Sequence, residues 1–403
     1  MKALLVSDSY PPLIGGATRA TQQLAEALLD AGHEPAVATS WQRGAPASEH
    51  DGICQVRRIR AAASHLPGTL VEPRYTPPPV PDPGLVRGLR EAIGEFAPDV
   101  IHAYGWMALS TVVANRVAEV PVVLAARDYG NVCARRTLLF EGREPCSGPG
   151  WRKCLGCAGQ EYGIAKGAVG TTAVLGGRRI LRDGIAGLHS VSRYVEEVMD
   201  TGLLGDREVA RIIAPDWRSP SGGEPDREAL AKLPAEPFIL YVGALRRVKG
   251  IAELLGAHAA LDDAPPLVLI GTEAPDTPPI PESVTVLRGV TPETVLAAWD
   301  RALFGVAPSI WAEPLGNVVH EAMSRGRPVI GSATGGHADM IDPGVDGLLV
   351  DTSDAEQLRD ALELLSGDDA LRGRLGAAAR ESAERFTEPA VAPRLIGFLE
   401  SIA

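Results

Sequence analysis

Near the C-terminus the chain reads Pro308-Ser309-Ile310-Trp311-Ala312-Glu313-Pro314-Leu315-Gly316-Asn317-Val318-Val319-His320-Glu321-Ala322-Met323. Pro314 and Gly316 break any continuing strand, and Leu315 to Met323 can then run as a helix. The first backbone N–H groups of a helix have no intrahelical acceptor and can hold an anion. Glu313 falls in the loop before that helix and Glu321 about two turns into it. One carboxylate can then meet a sugar ring and the other a ribose, with a phosphate between them. The plainer alternative is a capped surface helix carrying two solvated acids.

The flanking sequence alternates short apolar runs with helical patterns. Strands are expected at Ala3–Val6, Pro35–Thr39, Val100–Ala103 and Val120–Ala125 in the first half. In the second half they are expected at Phe238–Val242, Leu267–Ile270, Val284–Leu287, Phe304–Pro308 and Pro328–Gly331. A helix is expected over Thr21–Ala31, stopped by Gly32. Strands alternating with helices imply parallel sheets covered on both faces. The 403 residues suffice for two domains, and a turn-rich linker lies at Pro215–Pro225. A formal net charge of −12 argues against a nucleic-acid binder. The start, Met1-Lys2-Ala3-Leu4-Leu5-Val6, reads as a strand and not as a signal peptide. No run approaches the ~18 apolar residues of a membrane span, so a soluble cytoplasmic protein is expected.

The E-x7-E stretch resembles the signature of retaining glycosyltransferases of the GT-B fold, in the large family-four group. Further segments carry the same resemblance along nearly the whole chain. They are the Gly15-Gly16 loop after the first strand, Asp99-Val100-Ile101-His102-Ala103, Val191-Ser192-Arg193-Tyr194-Val195, Tyr241-Val242-Gly243-Ala244-Leu245 through Lys249-Gly250, and Arg327-Pro328-Val329-Ile330 followed by Gly335-Gly336-His337-Ala338-Asp339. The resemblance implies two Rossmann-like doubly wound domains facing a cleft. An acceptor-binding domain would span 1–215, a nucleotide-sugar-binding domain 216–385, and a C-terminal helix in 386–403 would cross back to the first. It implies transfer of a hexose or N-acetylhexosamine from a UDP- or GDP-sugar to an acceptor hydroxyl, with retention, in polysaccharide or natural-product biosynthesis.

A departing nucleoside diphosphate is an anion whose developing charge must be stabilised. No Asp-x-Asp metal motif occurs in the sequence. Stabilisation is therefore expected from cationic side chains and helix N-termini, without a catalytic metal. The resemblance puts Lys249 on the diphosphate. The family's arginine after the loop glycine is replaced by Ala244, so Arg246 either reaches in from two residues on or stays solvated. Backbone N–H groups of Leu315, Gly316, Asn317 and Val318 would meet phosphate and sugar, Glu313 the sugar hydroxyls and Glu321 the ribose. Gly15 and Gly16 complete the donor side, and Val290 marks where the family reads the base.

Arg127-Asp128-Tyr129 stands where the family commonly has His-Asp-Tyr-Trp. Arginine cannot serve as a base at neutral pH and presents a planar set of donors. Arg127 can bind an acceptor carboxylate, a polar sugar or the diphosphate, or else form a salt bridge to Asp128 or a neighbour. On the acceptor side Arg127, Asp128, Tyr129 and His102 are the candidates, His102 being equally readable as a satisfied core histidine.

Cys133, Cys146, Cys154 and Cys157 share one segment rich in glycine, proline and basic residues. It has little apolar content with which to order itself. In a reducing compartment a metal is then the expected clamp, and four thiolates suit structural zinc, with an iron–sulfur cluster, disulfides or free thiols as the alternatives. Cys54 is expected to be a buried small hydrophobe. Two other readings remain open. A nucleotide-sugar epimerase would need extra acids and histidines at the anomeric centre, and a non-catalytic nucleotide-sugar-binding protein would accord with Ala244 and Arg127.

Overall fold

The computed structural model describes residues 1–13, 15–65, 77–217 and 222–403. Ile14 of the first glycine loop and 218–221 of the expected linker lie outside the described residues. The chain forms two compact α/β units, one of residues 1–216 with 391–403 and the other of residues 217–390.

The first unit contains β1 (Lys2–Ser7), β2 (Glu34–Ser40), β3 (Ser48–His50), β4 (Gln55–Ile59), β5 (Val100–Tyr104), β6 (Val122–Ala126), a small hairpin of β7 (Leu139–Phe140) and β8 (Glu144–Pro145), β9 (Gly187–Ser190) and β10 (Ala210–Ile213). Its main sheet runs β10-β9-β6-β5-β1-β2-β4-β3, parallel except where β3 pairs with β4. The helices are α1 (Gly16–Asp30), α2 (Pro83–Phe96), α3 (Met107–Ala114), α4 (Trp151–Tyr162), α5 (Ile164–Gly184) and α6 (Arg193–Met199). Central strands β5 and β6 are buried at every position, as a sheet covered on both faces requires. Helix α2 begins where Asp82 accepts the N–H groups of Gly84 and Leu85, with Pro83 in the first turn.

The second unit has α7 (Arg227–Ala231), β11 (Phe238–Val242), α8 (Ile251–Ala259), β12 (Leu267–Ile270), β13 (Thr285–Leu287), α9 (Pro292–Trp299), β14 (Ala302–Ala307), α10 (Asn317–Ser324), β15 (Val329–Ser332), α11 (His337–Met340), β16 (Leu348–Val350), α12 (Ala355–Gly367) and α13 (Asp369–Ala383). Helix α14 (Glu388–Glu400) follows, and its residues from Val391 onward belong to the first unit. The second sheet is wholly parallel, in the order β13-β12-β11-β14-β15-β16. Its core gathers Ile239, Tyr241, Leu269, Phe304 and Ile330 with Leu254, Leu358 and Leu362 from the covering helices.

In each sheet the strand order reverses at one point, between β1 and β5 in the first unit and between β11 and β14 in the second. Crevices beyond the C-terminal strand ends at such points are where open α/β sheets bind ligands. The loops leaving β11 and β14 are those that carry Lys249 and Glu313. In the first unit, Asp8 follows β1, Trp106 follows β5, and Arg127 and Asp128 follow β6.

The cysteine segment departs from expectation. All five cysteines are free thiols, and among the described residues no group of three or more His, Cys, Asp or Glu side chains is placed to hold a metal ion. Cys133, Cys146, Cys154 and Cys157 are thus not gathered as the expected zinc or cluster site requires, and no disulfide joins them. The segment orders by packing instead. Cys154 and Cys157 lie one turn apart on α4, which rests against α5. Gly167 is what lets the helices approach, since a Cβ there would collide with the backbone at Gly159. Ala134, Ala158 and Val174 make a small core beneath. The Cys157 thiol receives the Glu141 N–H at 3.2 Å. Cys54 is buried, and burial pushes its thiol up to about 12.

Candidate active site

The centre of the second unit's site is a buried carboxylate. Glu313 Oε1 accepts from Lys249 Nζ at 2.5 Å, Ser309 Oγ at 2.7 Å and Trp311 Nε1 at 2.8 Å. Burial pushes this carboxyl up, but Lys249 and His337 beside it and the bonds from Lys249 and Ser309 hold it below its usual range. Lys249 Nζ also lies 5.1 Å from the centre of the Trp311 ring. The Ile310 N–H donates to Val248 O at 3.0 Å, so the two loops are joined by backbone as well as by the ion pair.

Helix α10 begins just beyond Glu313. It starts at Asn317, two residues later than the sequence pattern predicts, because Gly316 takes φ 100° and acts as the N-cap. No side chain caps this helix. Its first N–H groups are thereby offered beside Lys249 and Glu313, which suits an anion. With the later start, Glu321 is the fifth helical residue, little more than one turn in, and it is half-buried. Leu315 is buried, and Val318 is half-buried in the first turn. Val290 is half-buried in the loop between β13 and the Thr291-capped α9.

Arg246 does not turn toward Lys249; its Nε donates to Asp276 Oδ1 at 3.1 Å. Gly15 caps α1 in extended backbone and Gly16 is that helix's first residue. The α1 N-terminus likewise has no side-chain cap.

In the first unit Arg127 is buried and donates from Nε to Asp216 Oδ1 at 2.7 Å, not to Asp128. Its Nη1 is buried without a hydrogen-bond partner among the described residues. Asp128 instead pairs with Arg136 and accepts from Tyr104 OH at 2.8 Å and from the Gly130 N–H at 2.7 Å. Burial works against the charged form of Asp128, yet Arg136 and these bonds leave its carboxyl below the usual range. Tyr129 is fully buried and meets Tyr194 edge-on.

His102 is a core histidine. Its Nε2 lies 3.0 Å from His189 Nδ1, and His189 Nε2 lies 2.8 Å from Ala214 O. The carbonyl can only accept, so His189 donates from Nε2 and its Nδ1 accepts from His102. Both rings are neutral, burial pushing His189 down to about 4 and His102 well below its usual value.

Several site residues escaped sequence reasoning. Asp8 accepts the Trp106 and Met107 N–H groups at 3.0 and 2.9 Å, and burial raises its carboxyl to about 6. Arg136 lies between Asp8 and Asp128. Ser309 and Trp311 stood inside the quoted stretch without an assigned role. Buried His337, in the second unit, is pushed down to about 4 by burial.

These shifts predict acid sensitivity. His189 and His337 titrate near 4 when folded against 6.5 ordinarily, so between those values the unfolded chain binds more protons. Their contribution is complete above about pH 6.5 and lost as pH falls toward 4, on the order of 3 kcal/mol each at 1.4 kcal/mol per unit. Asp8 acts oppositely, since its raised carboxyl favours the folded state on acidification from about 6 toward 4. In the first unit His102, also pushed down by burial, joins His189 against the one raised carboxyl of Asp8, and His337 is unopposed by any comparably raised acid in the second among the described residues. Thermal unfolding scans are expected to show the melting temperature falling between pH 6.5 and 4. A flat or rising profile would contradict the burial of these rings as neutral bases.

Two doubly wound α/β sheets, with a half-buried lysine paired to a buried glutamate at an uncapped helix on the second, have the architecture of a GT-B glycosyltransferase. Residues 15–216 match the profile of the glycosyl transferase 4-like domain and residues 224–382 that of glycosyl transferases group 1. The chain belongs to this glycosyltransferase family. It is 28% identical over 393 residues to a D-inositol 3-phosphate glycosyltransferase of Arthrobacter sp., covering 92% of this chain and 86% of that protein. It is also 28% identical over 425 residues to a GDP-mannose-dependent alpha-mannosyltransferase of Mycolicibacterium smegmatis, covering 100% and 98%. Among solved structures, sucrose-phosphate synthase of Thermosynechococcus elongatus superposes with TM-score 0.72 at 22% identity, over 100% of this chain and 98% of the other. Anabaena HepE in complex with UDP-glucose does so with TM-score 0.68 at 16% identity, over the full length of both chains. Among the described residues no helix is long and apolar enough to cross a membrane.

Proposed function

We propose that this glycosyltransferase moves a hexose or N-acetylhexosamine from a UDP- or GDP-sugar to an acceptor hydroxyl with retention of configuration. The observation that carries the donor assignment is the Lys249–Glu313 pair set beside the uncapped α10 N-terminus. Lys249 and the N–H groups of Leu315 to Val318 hold the diphosphate, Glu313 orients the sugar hydroxyls, Glu321 accepts from the ribose, and Val290 lies at the base. Donor binding shifts Lys249 from Glu313 toward phosphate, which frees a carboxylate lone pair for the sugar. Leaving-group charge is stabilised by this lysine and the helix N-terminus. On the acceptor side we assign Arg127, Asp128 and Tyr129. The unpartnered Nη1 of Arg127 supports its assignment, because a buried guanidinium N–H without an acceptor is costly until a polar ligand meets it. His102 is buried and bonded to His189, which favours its reading as a core histidine over an acceptor-side role.

Incubating the protein with a panel of UDP- and GDP-sugars and reading nucleotide release tests the activity. NMR of the product's anomeric proton tests retention. Glu321→Ala is expected to weaken nucleotide binding by about ten- to a hundredfold, since charge-assisted ribose bonding worth roughly 1.5–3 kcal/mol is lost. Unchanged affinity by calorimetry would remove the ribose assignment.

A further inference from the structure

Beside the donor site lies a buried side chain that none of the roles above uses. His337 is 1% exposed, and its Nδ1 lies 2.9 Å from the hydroxyl of Ser332, itself 1% exposed. The opposite edge of the ring rests against Gly316, the N-cap of α10. A Cβ at 316 would collide with His337 Cδ2 and lie 2.6 Å from Nε2. No hydrogen-bond partner for Nε2 is found among the described residues. The backbone fixes this placement independently of the ring. The Gly336 N–H donates to Glu313 O at 2.6 Å, and Gly335 bridges to Glu313 as in a parallel strand pair. The segment bearing His337 is thus tied to the loop bearing Glu313.

We propose that His337 is a further donor-binding residue, with Ser332 donating to Nδ1 so that an Nε2–H is presented, beside Gly316, to an oxygen of the nucleotide sugar's diphosphate. This rests on the reading of the α10 N-terminus as the diphosphate site. The chemistry selects one tautomer. A phosphate oxygen can only accept, so the facing nitrogen must carry the proton, and the Ser332 hydroxyl is placed to donate to the other nitrogen. A neutral ring suits this place. It adds a directional N–H beside Lys249 without placing a buried cation there. Gly316 is then required twice over: for its backbone conformation, and to leave the Nε2 edge uncovered.

Long-range proton–nitrogen NMR of the histidine rings in the full chain, without and with UDP or GDP, reads the tautomer directly. The His337 ring is expected in the Nε2–H form, with its Nε2 resonance moving when the nucleotide binds. His337→Leu, which retains bulk without a polar atom, is expected to stay folded at pH 7.5 with a lower melting temperature, since the buried Ser332 hydroxyl loses its partner, and to bind the nucleotide about tenfold more weakly. His337→Asn, which keeps an N–H donor, is expected to recover part of that loss. An Nδ1–H tautomer, or an Nε2 resonance unmoved by nucleotide together with equal affinity of wild type and His337→Leu, would overturn the role of His337 alone. Failure of the wild type to bind either nucleotide would overturn the donor-site reading itself, and this inference with it.

Discussion

Replacing Glu313 by glutamine is expected to lower glycosyl transfer by roughly 10²–10³-fold while the nucleotide itself still binds. Three donors, from Lys249, Ser309 and Trp311, converge on one oxygen of this carboxylate. Glutamine keeps the shape and one carbonyl acceptor, so the second unit should remain folded. It removes the charge that holds Lys249 and weakens the acceptor available to sugar hydroxyls. The expected signature is a large fall in kcat with nucleotide affinity, measured by calorimetry with UDP or GDP, changed by a few-fold at most. Wild-type turnover in Glu313→Gln would show that the sugar is oriented by another group.

Lys249→Ala is expected to be as severe in kcat, by roughly 10²-fold or more, and milder in donor affinity. Charge on the departing diphosphate grows toward the transition state, so a cation there contributes more to the transition state than to the bound donor. Arg246 is poorly placed to substitute, being paired with Asp276. The variant should also lose part of the force that keeps Glu313 ionised, since Lys249 is the strongest of the influences lowering that carboxyl. Comparing kcat with the calorimetric affinity for the unreacted nucleotide separates the two effects. Equal losses in both would mean that Lys249 contributes to binding alone.

The loop and helix proposed as the donor site were largely legible in the sequence because their parts are local. Glu313, Gly316 and Glu321 fall within nine residues, and a proline, a glycine and an apolar period are enough to set a loop and a helix between them. Strands such as β11 and β12 were legible for a similar reason, being short continuous apolar runs. Strand β4 was not, because Arg57 and Arg58 interrupt its pattern. Arg58 is nevertheless buried, bonded to the carbonyls of Pro11 and Pro46, and Arg57 pairs with Glu91 and Glu95 on α2.

The first unit's polar cluster was illegible for a topological reason. Asp8, Tyr104, Asp128 and Arg136 meet only because β1, β5 and β6 are neighbours in the sheet, and no spacing in the chain announces that. Arg136 further depends on a loop in which it takes φ 66°, which an arginine does not advertise. The cysteine segment was misread in the opposite sense. Its glycines and prolines looked like loop residues, whereas its later part lies in helix α4, packed against α5 where Gly167 leaves room for the backbone at Gly159. His337 was hidden because it stands in a glycine-rich stretch whose role at Glu313 appears only when backbone bonds join the two.

The central claim is that the N-terminus of α10, with Lys249 and Glu313, receives the diphosphate of the donor. Hydrogen–deuterium exchange of the full chain with and without UDP and GDP tests it at the amides concerned. Peptides spanning Glu313 to Val319 and Arg246 to Ile251 are expected to exchange more slowly when one of these nucleotides is bound. Binding of the nucleotide with exchange in both peptides unchanged would contradict the account.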